Sequence, residues 1–157
     1  MRIIALLVLL WYMPFCATAQ NATNNLQLYT NSGLNFTCND PTDLENDQTI
    51  AGAITLIVRT KSSNCSIYAR MSSFLGPSGF VTSTYPIQLD WTSDNSPNAG
   101  NVVTSALTLT SSDQRLFTQS KTNKTYSFNY NLILKAPGYT YPPGHYNFTI
   151  LFTMTQP

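Results

Sequence analysis

The chain has 157 residues, of which only 10% are charged, and its formal net charge at pH 7 is +1. This balance provides no basic surface to attract phosphate, so nucleic acid and anionic membranes are disfavoured as partners. With a single His and seven acidic residues, the chain is also poor in the groups that make metal sites and catalytic carboxylate pairs, so we expect no cofactor and no enzymatic activity.

The first 19 residues have the pattern of a signal peptide. Arg2 supplies a positive start, residues 3–10 are continuously apolar, and Ala-Thr-Ala at 17–19 is a small-x-small cleavage site before Gln20. No later segment approaches the roughly 20 apolar residues that a membrane helix needs. We expect a mature chain of residues 20–157, secreted or at the cell surface, with no membrane span. A lipid anchor at Cys16 is less favoured, because bulky Phe15 precedes it.

Two cysteines, Cys38 and Cys65, remain after the leader is removed. In an exported chain, an even pair is most simply one disulfide. Cys38 is in step with Phe36 and Cys65 with Ile67, so both sulfur atoms are expected on the apolar side of their strands. We therefore predict a buried bridge between two strands. A redox or metal-binding pair is disfavoured because the Cys-x-x-Cys spacing is absent.

Apolar and polar residues alternate along most of the chain, and no stretch keeps a helical period for three turns. Weaker strands are predicted at 26–30, 34–38, 54–59, 65–71, 86–91, 102–110 and 115–118, with turn-rich segments between them. Trp91 is in phase with Ile87 and Leu89 and is expected to lie in the core.

The two clearest strands are 125–135 and 145–155. In the first, one face carries Tyr126, Phe128, Tyr130, Leu132 and Leu134. In the second, one face carries Tyr146, Phe148, Ile150, Phe152 and Met154. The proline-rich link 136–144 predicts a long hairpin connection between these strands. The spacing of all the predicted strands indicates an all-β fold, an antiparallel two-sheet immunoglobulin-like sandwich of about seven to nine strands.

An acidic segment follows Cys38 directly. It contains four of the seven acidic residues, Asp40, Asp43, Glu45 and Asp47. Calcium needs several converging oxygen ligands, which four carboxylates could supply. The spacing fits no known calcium loop, so a solvated acidic loop is the favoured interpretation and calcium the weaker one.

Tyr139 and Tyr141 lie among prolines and glycines in the link between the last two strands. They could form an exposed platform for a sugar ring or a partner chain, the alternative being simple packing within the loop. His145 is expected at an exposed strand end. The best catalytic set that the sequence offers is His145 with Asp90 and Asp94, which no spacing argument supports.

The ending 142–155 has a Gly-x-Tyr entry into a long alternating strand. It resembles the last strand of bacterial pilin and spore-coat-U-like subunits, and the leader, the pair Cys38 and Cys65 and the Asn/Thr-rich strands are similar too. Such families assemble by β-augmentation, in which an extended segment of one subunit completes the sheet of the next. The resemblance implies that Leu26 and Leu28 are the donor candidates.

We therefore expect an exported, non-enzymatic structural or adhesive subunit of a surface, whose partners are copies of itself or other surface subunits. The alternative is a free-standing module that binds a glycan or a protein through Tyr139 and Tyr141. Sparse charge on the strands favours assembly, because edges without Lys or acid are poorly protected against pairing with another strand.

Overall fold

The computed structural model describes residues 23–30, 34–82 and 84–157. The predicted leader, residues 1–19, and Cys16 with it, lie outside the described residues. The chain runs through β1 (Asn25–Thr30), β2 (Phe36–Cys38), α1 (Pro41–Glu45), β3 (Gln48–Arg59), β4 (Cys65–Leu75), a 3-10 turn (Pro77–Gly79), β5 (Ile87–Asp94), β6 (Ala99–Gly100), β7 (Leu107–Thr108), β8 (Gln114–Gln119), β9 (Thr125–Leu134) and β10 (Gly144–Thr155).

The strands form two antiparallel sheets of five, in the orders β1-β3-β9-β5-β7 and β2-β10-β4-β8-β6. The inward faces meet in one core, where the rings of Phe117 on β8 and Phe128 on β9 stack with centroids 3.7 Å apart. The alternating faces predicted for β9 and β4 are the buried ones, because Tyr130 and Ile67 are both shielded from solvent. The predicted all-β two-sheet sandwich is confirmed.

The connection between β9 and β10 differs from the prediction. β9 lies between β3 and β5 in one sheet, while β10 lies between β2 and β4 in the other. The link 136–144 therefore crosses from sheet to sheet and is not a hairpin. It is held by Tyr141, whose hydroxyl donates to the carbonyl of Thr84 over 2.8 Å, and by the Gly138 amide, which donates to the carbonyl of Leu44 over 2.9 Å. Alternation reveals strands but not which strands pair, so the sequence could not distinguish the two arrangements.

The predicted Cys38–Cys65 disulfide is absent, and both thiols are free and buried. Cys38 lies opposite Gly144, at the start of β10, whereas Ser66, which follows Cys65, lies opposite Thr155 at its end. At about 3.3 Å per residue the length of β10 separates the two cysteines by roughly 35 Å, and a disulfide spans about 7 Å at most between Cα atoms. Both cysteines do face the apolar side, as their phase predicted, but at opposite ends of the sandwich.

The observed bounds of three other strands differ from the predicted ones. The segment 102–110 contributes only the two residues of β7, while β3 and β4 are longer than predicted. The acidic segment contains α1, whose five residues are shorter than any helix that periodicity could reveal. None of the helices in the described part of the chain is long and apolar enough to cross a membrane.

Candidate functional site: the open edge of β10

The most unusual feature of the sandwich is the edge of β10. On one side, β10 pairs with β4 over the nine residues from Asn147 to Thr155. On the other side it pairs with β2, but only through Gly144, His145 and Tyr146. Across residues 23–30, 34–82 and 84–157, nothing pairs with that second side beyond Tyr146. Every second residue of this nine-residue segment thus presents its backbone N–H and C=O groups to a new strand.

The inward face of this open edge is apolar and incompletely covered. Phe148, Ile150, Phe152 and Met154 are half-buried, although each lies opposite a buried residue of β4. Because directly opposed residues share a face of the sheet, these four side chains point into the sandwich. Their remaining exposure shows that the interior is open along this side.

The other sheet is open on the same side of the molecule. β1 is its edge strand, and the chain passes from β1 at Thr30 to β2 by residue 36, so the two edges lie side by side. Leu28 lies opposite fully buried Leu56 and therefore faces inward, yet 49% of it is exposed. An opening of the sandwich therefore lies between the β1 and β10 edges.

The predicted donor residues, Leu26 and Leu28, lie on β1, along this opening of their own chain. All six residues of β1 pair with β3, from Asn25 opposite Arg59 to Thr30 opposite Ile54. As a donor, this segment would first have to leave β3. The structure thus offers β10 as an acceptor edge and shows β1 already engaged.

The β10 edge has none of the usual protection against strand pairing. It contains no Lys, Arg, Asp, Glu or Pro between Gly144 and Thr155. The irregularity in its ladder with β4 lies on the β4 side, where Ser72 is skipped between the partners of Thr149 and Ile150. A regular, uncharged edge of this length is a template for another strand. The low charge of the chain was the only sequence signal of it, because an unpaired edge becomes visible only when the strand order is known.

A second candidate site lies beside the link between β9 and β10. A cleft of about 320 Å³ is lined by Asp40, Pro41 and Leu44 on one side and by Tyr139, Tyr141 and Pro142 on the other. The fold therefore brings the acidic segment and the predicted tyrosine loop together, which sequence distance concealed.

The two tyrosines play different parts in this cleft. Tyr139 is 69% exposed, and its hydroxyl donates to the carboxylate of Glu45, a bond that raises the pKa of Tyr139. Tyr141 is half-buried, and its ring packs against Phe80, with centroids 5.1 Å apart, and against Tyr146 at 6.1 Å. Only Tyr139 is presented as a platform, while Tyr141 mainly supports the loop.

The four acidic side chains of the predicted calcium candidate do not converge. Asp40 caps α1 by accepting from the Asp43 amide over 3.1 Å, and Asp43 accepts in return from the Asp40 amide over 3.3 Å. Glu45 is engaged by the Tyr139 hydroxyl, and Asp47 by Lys135. Over the described residues, no group of three His, Cys, Asp or Glu side chains is placed to hold a metal. Asp40 and Asp43 thus cap α1, while Glu45 and Asp47 join the acidic segment to Tyr139 and Lys135.

The weak catalytic set is not assembled. Asp90 and Asp94 lie on β5, where they accept from the Asn131 side chain and the Ser96 amide, at 3.3 and 2.9 Å. His145 is exposed on β10 of the other sheet, and its Nδ1 lies 3.5 Å from the Thr37 hydroxyl.

A polar cleft of about 420 Å³ lies at the far end of β10. It is lined by Asn64, Ser66, Tyr68, Thr118, Gln119 and Gln156, none of them charged. Several of these polar groups are already paired within the chain; the Asn64 side chain accepts from the Lys121 amide over 2.7 Å, for example.

No family model matches the chain, and no curated protein matches it. Among solved structures, the chain is similar to a family 123 glycoside hydrolase from Clostridium perfringens that acts on glycolipid glycans, with a TM-score of 0.44 and 16% sequence identity. The match covers 85% of this chain but 25% of the hydrolase, so the chain spans about a quarter of that enzyme's length. This neighbour contradicts our expectation that the protein is not an enzyme, and that expectation is withdrawn. At this level of similarity the match assigns no activity to the chain.

Proposed function

We propose that the protein is an exported structural or adhesive subunit of a surface, which assembles by adding a β-strand to the open edge of β10. The observation that carries the proposal is the nine-residue edge, uncharged and unpaired within the described chain, above a half-buried apolar row. The pattern of the leader and the resemblance of residues 142–155 to pilin and spore-coat-U-like subunits support it.

The available energy is of the right size for association. Complete burial of one large apolar side chain contributes about 1.5–3 kcal/mol, so covering the exposed remainder of Phe148, Ile150, Phe152 and Met154, at most about a third of each, contributes up to roughly 2–4 kcal/mol. The hydrogen bonds of a new ladder add to this. Association costs an estimated 4–15 kcal/mol in lost freedom, which the apolar row and the ladder can offset together.

The proposal is tested by introducing a charged residue at the open edge of β10. Leu151 is 38% exposed on the outward face of β10, so Leu151→Lys adds a charge there without entering the core. The matched control is Val81→Lys, also at an exposed aliphatic residue, which bridges to Leu75 on the side of β4 away from β10. We expect Leu151→Lys to weaken assembly strongly and Val81→Lys to leave it unchanged. Equal assembly of both variants, measured by light scattering, would remove the proposal.

A second candidate function is glycan binding at the cleft beside Tyr139. Its support is the exposed ring of Tyr139 above the 320 Å³ cleft, since aromatic faces of this kind stack on sugar rings. We expect Tyr139→Ala to abolish binding on a glycan array. Tyr141→Phe keeps the packed ring and removes only the hydroxyl bond to Thr84, so it should preserve binding. Absence of binding to any glycan by the unmodified protein would exclude this function.

A further inference from the structure

We infer that the strand added to β10 is β10 of a second copy, paired antiparallel about a two-fold axis that passes through Leu151. The inference rests on the proposed function and names its partner. It follows from the length of the open edge, from the side chains on its two faces and from the position of β2.

The open edge is self-complementary in an antiparallel pairing. With Leu151 opposite its own copy, Phe148 lies opposite Met154 and Ile150 opposite Phe152 of the second copy. All four belong to the inward apolar row, so the two rows join into one continuous core. No charged residue is present to be set against its own copy.

The outward face matches as well. In the same register, Thr149 lies opposite Thr153 of the second copy, and the two Leu151 side chains meet at the axis. Leu151 is an exposed leucine on an otherwise polar outward face, and this register gives it an apolar partner. Threonine pairs and apolar pairs are both favourable cross-strand neighbours.

β2 fixes the register. It occupies the same side of β10 at Gly144, His145 and Tyr146, so an added strand can begin no earlier than Asn147. The free edge ends at Thr155, where the strand itself ends, and Leu151 is its midpoint. A slip of one residue would set threonines against the apolar row. A slip of two residues would either run into β2 or shorten the ladder. The pairing centred on Leu151 is therefore the longest one that sets the apolar row of one copy opposite the apolar row of the other.

Within the described residues, the strands at the sheet edges are shorter than the open edge: β1 has six residues, β2 three, and β6 and β7 two each. A second copy of β10 is therefore the strand that matches the nine residues of the open edge in length. The two-fold contact closes on itself and gives a dimer; longer assemblies would need a further contact.

The test uses single cysteines in the chain from Gln20 onward under mild oxidation. Leu151→Cys places two thiols directly opposite each other at the axis, with Cα atoms about 4.5–5.5 Å apart, within the range of a disulfide. We expect a covalent dimer on a non-reducing gel. The unsubstituted chain, whose two thiols are buried, is the background control and should stay unlinked.

Register is tested with Thr149→Cys and Thr153→Cys. Each alone should stay unlinked, because each residue lies four positions, roughly 13 Å, from its own copy along the strand. A mixture of the two variants should form the covalent dimer. Linking of each single variant as efficiently as Leu151→Cys, or failure of the mixture to link, would overturn the two-fold register.

The outcomes separate the inference from the proposed function. If the protein assembles and Leu151→Lys blocks assembly, but Leu151→Cys does not link, the partner is another strand; the inference is then overturned and strand addition survives. If the unsubstituted chain is monomeric at every concentration and no partner strand binds, both are overturned.

Discussion

Replacing Leu151 by lysine should weaken dimerisation strongly without changing the stability of the monomer. In the single chain Leu151 is 38% exposed, and the inferred pairing covers that remainder against the second copy. Full burial of a leucine side chain contributes about 1.5–3 kcal/mol, so the covered part contributes about 0.6–1.1 kcal/mol per copy and about 1–2 kcal/mol per dimer.

The substitution also sets two positive charges against each other at the axis. If the two lysine side chains adopt conformations that place their ammonium groups about 8 Å apart in water, they repel each other by roughly 0.5–1 kcal/mol. The two effects together amount to about 1.5–3 kcal/mol, which corresponds to a dissociation constant about 10- to 140-fold higher. Raising the salt concentration should recover only the electrostatic part, because screening does not restore the apolar contact.

Analytical ultracentrifugation of Leu151→Lys, Val81→Lys and the unsubstituted chain over a range of concentrations measures this difference. Urea unfolding of each monomer checks that the fold is intact. An unchanged dissociation constant for Leu151→Lys, or an equal loss for Val81→Lys, would refute the reasoning, since both substitutions introduce the same charge at an exposed aliphatic position.

Three further predictions concern the fold. Phe128→Ala should lower the free energy of unfolding by about 3–5 kcal/mol, because the ring is fully buried; urea denaturation measures the loss. Burial raises the pKa of both Cys38 and Cys65, so in the chain from Gln20 onward a thiol reagent at pH 8 should titrate two thiols only after unfolding, whereas a disulfide would leave none to titrate. The hydrogen bond from Lys135 is the main reason that the pKa of Asp47 is lowered in the folded protein. The ionised Asp47 therefore stabilises the fold at pH values above the ordinary pKa of an Asp side chain, and this stabilisation is lost as the pH falls through the lower pKa of the folded state. Because both side chains are more than 40% exposed, Asp47→Asn should cost below about 1 kcal/mol near pH 7, and a carboxyl NMR titration that returns an ordinary pKa would contradict the assignment.

The local features of the fold were readable from alternation. β9 and β10 lie where the pattern predicted, and the buried face of β9 is the predicted one. The predicted inward face of β10 was also correct, but the partial exposure of Phe148 and Ile150 was not foreseeable. Periodicity gives the direction of a side chain, while its burial depends on which strands lie next to it.

The incorrect predictions have the same cause, since each depends on which strands lie next to each other. Cys38 and Cys65 have the right phase but lie at opposite ends of β10, which only the strand order reveals. The hairpin expected between β9 and β10 is a crossing between sheets for the same reason. The cleft between Asp40 and Tyr139 likewise joins segments almost a hundred residues apart. Long-range pairing of strands is set by the packing of the whole sandwich, and no local pattern encodes it.

The most direct test of the account is the solution mass of the chain from Gln20 onward, measured by light scattering across a hundredfold range of concentration. Strand addition at the β10 edge predicts a mass that rises with concentration to at least twice that of one chain, and for Leu151→Lys a rise shifted to about 10- to 140-fold higher concentration. A single-chain mass for the unsubstituted protein at every concentration would contradict the claim that the open edge of β10 pairs with another copy.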